Sequence, residues 1–241
     1  MKRLNSLVVT QTRILRADDL PFVTLLTQSA IAQIQKAFNF RQAMPMQPPL
    51  VPDPAGGIGF WGGEIEINSI PVTIQQVIIE PRKVTTVVAA PSDSSQKAYS
   101  MLTDLIRRLD SREPKPDLDP IVLTQETATV LELDFPITRL FEDGRIATFA
   151  KEIDSLSDRI TPRVSIVPSG VTFRVSYLEP SDKLKANNVQ LIDKDLKIEL
   201  RMSTSIEENL FFISSPNSSD THMKLIARLE EVFSQTSRKE N

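Results

Sequence analysis

Residues 87–109, VVAAPSDSSQKAYSMLTDLIRRL, and residues 211–233, FFISSPNSSDTHMKLIARLEEVF, follow one plan. Each opens with an apolar run of the β-branched and aromatic residues that favour strands. A proline then breaks the strand. A cluster of Ser, Asp and Asn supplies N-cap side chains, and a helical pattern follows. In the first copy Ala98, Leu102, Leu105 and Leu109 mark one helix face, and the spacing predicts a helix over 94–110. The second copy predicts a final helix ending near residue 235.

Outward from these two stretches the halves keep the same outline. Before the first lie a strand over 6–15, a helix over 19–39 opened by Asp18, Asp19 and Pro21, and strand patterns at 64–68, 71–80 and 84–90. Before the second lie a strand over 128–135 and a helical region from Pro136 that resumes with Ile146, Phe149, Ile153, Leu156 and Ile160. A hairpin then runs through Pro168-Ser169-Gly170 between 163–167 and 171–178, and strands follow at 195–202 and 209–214. Residues 111–120, SREPKPDLDP, read as a linker. The expected fold is therefore α+β: two related units, 1–113 and 114–241, each an antiparallel sheet covered by helices, an arrangement that points to internal duplication. The two sheets either join or stack. A doubled unit of this kind is similar in outline to the saddle of the TATA-binding protein, in architecture alone.

The chain has 241 residues, a formal net charge of −3 and no cysteine. That charge provides no global basic field for nucleic acid. The absence of cysteine excludes disulfides and thiolate chemistry. The apolar run at Leu7–Val9 is too short for a signal-peptide core, and nowhere do 18 apolar residues follow one another, so a cytoplasmic protein with no membrane span is expected. Between Leu20 and Phe40 the only charge is Lys36, an uncharged helix face of the kind that a partner covers.

Five of the seven glycines and the only tryptophan fall in GGIGFWGG, residues 56–63. Gly57, Gly59 and Gly62 spell G-x-G-x-x-G. A dinucleotide loop must follow a strand and open a helix. Here a proline-rich loop precedes the glycines and the strand pattern EIEIN follows them. Residues 41–63 are read as a long arm carrying Phe60 and Trp61 to the protein's own core or to a partner.

No catalytic set, cofactor or metal site is predicted. His222 is the only histidine and has no second ligand or triad context. Glu132 and Asp134 share a strand face, and Asp182 with Asp195 and Lys197 distantly matches metal-nuclease spacing. Both fit solvated strand faces better. The expected function is a non-catalytic interaction or assembly protein, in a larger complex or a homodimer, with Phe60, Trp61, Arg82 and Lys83 as partner-binding residues. The alternatives are a nucleic-acid-binding module using the doubled sheet and, behind it, a carboxylate-based metal-dependent hydrolase.

Overall fold

The computed structural model describes residues 2–45, 56–141, 168–176, 182–202 and 204–234. Nine strands build one antiparallel sheet: β1 (Arg3–Ile14), β2 (Gln42–Pro45), β3 (Ile58–Ile67), β4 (Ile70–Glu80), β5 (Lys83–Val88), β6 (Val122–Glu132), β7 (Gly170–Val175), β8 (Lys194–Leu200) and β9 (Leu210–Ser215). The α-helices among the described residues are α1 (Phe22–Leu25), α2 (Gln28–Ala37), α3 (Ser92–Leu109), α4 (Asp182–Ala186) and α5 (Ser219–Ser234). The strand order is β2-β3-β4-β5-β1-β6-β9-β8-β7.

The two halves share this sheet. β1 and β6 pair from Arg3↔Glu132 to Ile14↔Val122, with Gln11 opposite Gln125. Left alone, each would be an edge strand with a row of unpaired amides and carbonyls, and pairing them satisfies both rows. Of the two expected arrangements, joined or stacked sheets, the structure has the joined one. The apolar side chains still divide into two cores. The larger collects Leu25, Ile34, Phe38, Phe60, Ile74 and Leu102 from α1, α2, α3, β3 and β4, among others. The smaller is built from β6, β8, β9, α5 and a 3-10 turn at Ile137–Phe141, around Leu131, Phe135, Phe211, Ile213 and Ile226. Burying each such side chain contributes about 1.5–3 kcal/mol.

Local chemistry moved several boundaries. The helix expected over 19–39 is broken between α1 and α2, where the Thr27 side chain caps α2 by accepting from the Ala30 amide at 3.3 Å. The glycine stretch expected within the 41–63 arm is strand from Ile58 onward. An added Cβ at Gly59 would lie 2.2 Å from the Trp61 ring, so any side chain there would push the indole aside. Gly62 takes φ +67° between the pairs Trp61↔Gln76 and Gly63↔Ile74, a conformation that glycine adopts without a Cβ penalty. The presumed linker is docked: Leu118 is buried and its carbonyl accepts from the Tyr99 hydroxyl at 2.8 Å. Arg112 grips the Asp110 carboxylate at 2.8 Å and donates to the carbonyls of Asp18 (2.6 Å) and Asp19 (2.9 Å). The side-chain hydrogen bond from Arg112, with its backbone amide bond behind it, holds the Asp110 carboxyl below its usual range. The expected helix through Ile146–Ile160 and the strand at 163–167 lie outside the described residues.

Candidate interaction surface

Three features stand out on the helix-bearing face. The first is a polar spine where the two halves of the sheet meet. α3 and α5 point their N-termini at each other above the β1–β6 pair. The Ser92 amide donates to Ser219 Oγ at 3.0 Å, and the Ser219 amide donates to Ser92 Oγ at 2.9 Å. Each serine therefore satisfies a helix-terminal amide of the other unit, where an intrahelical partner is missing. Beneath them, Ser92 Oγ donates to Gln125 Oε1 at 3.3 Å, and Gln11 Nε2 reaches the Ser92 carbonyl at 3.5 Å. Asp93 and Asp220 sit in the two first turns and offset the meeting of two positive dipole ends.

Buried polar side chains flank the spine. Arg13 is fully buried, with its guanidinium carbon 4.0 Å from the centre of the Tyr99 ring. It donates to Gln11 Oε1, to Gln96 Oε1 at 2.9 Å and to Thr86 Oγ1 at 3.3 Å, all neutral acceptors. Burial lowers its pKa to about 10 and pushes the Tyr99 hydroxyl up to about 12. In the other unit His222 is fully buried between two hydroxyls, Thr129 Oγ1 at 2.9 Å from Nε2 and Ser215 Oγ at 2.8 Å from Nδ1. A neutral imidazole offers one donor and one acceptor, which two hydroxyls match. Burial lowers its pKa to about 4. A Ser–His contact of this kind has the letters of a nucleophile and base, but it lacks a carboxylate orienter and faces no solvent.

The second feature is the outer face of α1 and α2. Val23 is 82% and Leu26 42% exposed, and beside them stand Thr27, Gln28, Ser29, Ala32 and Gln33, all exposed and uncharged, with the exposed Lys36 the one charge of the two helices. The third is an apolar groove of about 680 Å³ between the β7–β8 hairpin and α5. Val171, Phe173, Leu196 and Ile198 form its floor, and Leu225 and Leu229 line its helix wall.

The predicted partner-contact residues are dispersed. Phe60 is fully buried in the larger core, with its ring centre 5.4 Å from that of Phe40. Trp61 points to the opposite face, lies over Gly59 and is half-buried. Arg82 and Lys83 stand at the β4–β5 turn. Arg82 donates to the carbonyls of Leu15 (3.4 Å) and Asn187 (3.2 Å), and Lys83 pairs with Glu80 at 2.6 Å. Of the carboxylates, Glu132 pairs with Lys2 at 3.6 Å and Asp195 with Lys197 at 4.0 Å, while Asp182 opens α4. No three His, Asp or Glu among the described residues converge to hold a metal ion. No described helix is long and apolar enough to cross a membrane.

The sequence pattern marked the Ser/Asp clusters as caps but did not reveal that the first residue of each helix caps the other helix. The groove was invisible, because its lining comes from four separated segments. No protein-family model matches the chain, and no curated protein matches it significantly.

Proposed function

We propose that this chain is a non-catalytic interaction protein that associates through the outer face of α1 and α2, with a second copy of itself or within a larger complex. The observation that carries this reading is the exposure of Val23 and Leu26 at 82% and 42% on a helix pair whose only charge is Lys36. A helix face that meets only water normally carries Lys and Glu, and clustered exposed apolar side chains mark contact sites. The locked, inaccessible state of His222 supports the non-catalytic part.

The strand order supports an ancestral duplication of units 1–113 and 114–241. From the central pair outward it runs β1-β5-β4-β3 on one side and β6-β9-β8-β7 on the other, with α3 following β5 and α5 following β9. The nucleic-acid reading ranks below. Lys83 and Lys197 are paired with Glu80 and Asp195, and Arg82 is spent on backbone carbonyls. A phosphate-tracking surface needs cations that are free to face the backbone.

Light scattering across a concentration series tests the proposal, with Val23→Glu/Leu26→Glu as the comparison. A mass above the 27.0 kDa of one chain that returns to it in the variant is expected. A wild-type chain that stays at one-chain mass, and whose co-purifying partners are unchanged by the variant, would sink the idea.

A further inference from the structure

We propose that the groove between the β7–β8 hairpin and α5 binds the acyl chain of a free long-chain carboxylate. Its volume, about 680 Å³, lies in the range of small-molecule pockets, roughly 300–1,000 Å³. Its lips are unusually apolar for a surface: Phe173 is 55% and Val232 52% exposed. Exposed apolar area of this kind is removed from water by a hydrocarbon ligand.

The charge at the rim selects the headgroup. Lys224 and Arg228 stand one turn apart on α5, and the Thr221 hydroxyl stands one turn before Lys224. No Asp or Glu is among the residues described as lining the groove. Arg228 shares its charge with Glu231 at 2.5 Å, whereas Lys224 makes no ion pair with a described residue. Lys224 is thus the cation placed to meet a carboxylate while its alkyl stem packs along the chain. The site belongs to the second unit and is independent of the α1–α2 surface.

The test titrates the full chain with dodecanoate below its micelle concentration, by calorimetry. One-site saturable binding at about micromolar Kd, with the negative heat-capacity change of apolar burial, is expected. Lys224→Glu should weaken binding about tenfold, the equivalent of ~1.4 kcal/mol, and Val232→Glu should abolish it. Dodecanol should bind about tenfold more weakly than the acid. Both substitutions are at exposed positions, and circular dichroism confirms that each variant is folded. Three results overturn the proposal. One is the absence of saturable binding by the folded chain, or binding that neither substitution changes. Another is association with anionic phospholipid vesicles but not with monomeric dodecanoate, which makes the groove a bilayer contact. The third is a Val232→Glu variant that, without ligand, melts well below wild type or changes its oligomeric mass, which assigns the groove to the chain's own residues or to a second copy.

Discussion

Replacing His222 with glutamine should flatten the acid limb of this protein's stability curve. The native imidazole sits between Thr129 and Ser215, fully buried and neutral. Its pKa is lowered by burial from 6.5 to about 4. The unfolded chain takes up a proton as pH falls through 6.5, and the folded chain refuses it until about pH 4. Stability is therefore complete above pH 6.5 and declines between 6.5 and about 4. At ~1.4 kcal/mol per pH unit, that interval is worth roughly 3 kcal/mol. Glutamine cannot take up the proton, so this component vanishes in His222→Gln. At pH 7.5 the variant should still be the weaker protein by about 1–3 kcal/mol, because one buried hydroxyl loses its partner. The stability gap should therefore close as the medium is acidified. Urea unfolding at several pH values measures both effects. His222 is the only histidine, so a single imidazole resonance reports the native pKa directly. Parallel pH profiles for wild type and variant, or a native imidazole that titrates near 6.5, would refute the reasoning.

Ser92→Ala and Ser219→Ala should each cost about 1 kcal/mol, the usual worth of a helix cap, as read by denaturant midpoints. The two serines bond to each other within one network, so the cost of the double variant should depart from the sum of the single ones. Gly59→Ala drives a methyl into the indole of Trp61 and should destabilise by about 1–3 kcal/mol, as overpacking does. The emission of the only tryptophan should shift to the red, and Trp61→Ala should relieve the cost. Arg13→Met should lose about 1–3 kcal/mol because the Gln11 and Thr86 acceptors lose their donor. Adding Gln11→Leu should recover much of that loss, since an apolar replacement of a buried polar set is often neutral. Thermal melts of the single and double variants decide it.

Periodicity and turn chemistry were enough to read the α+β class, eight of the strands and both long helices, because one buried face imposes a period of two on strands and 3.6 on helices. VTTVVAA became β5 and PSDSSQKAYSMLTDLIRRL became α3 for that reason. The same letters showed that GGIGFWGG lacks the strand–turn–helix setting of a dinucleotide loop. Other features were decided only by contacts between residues distant in sequence. The alternation around Phe60 and Trp61 was hidden by glycines, which carry no side chain to mark a face, so strand read as arm. The joining of two sheets into one rests on the pairing of β1 with β6, between segments that the pattern leaves equally able to be edges. The serines at 92 and 219 were legible as caps from composition, but which helix each one caps depends on where the N-termini of α3 and α5 meet. An apolar period tells which face of α5 turns inward. It does not tell whether that face is then covered, and the groove beside Phe173 and Val232 exists because the third dimension leaves it open among the described residues.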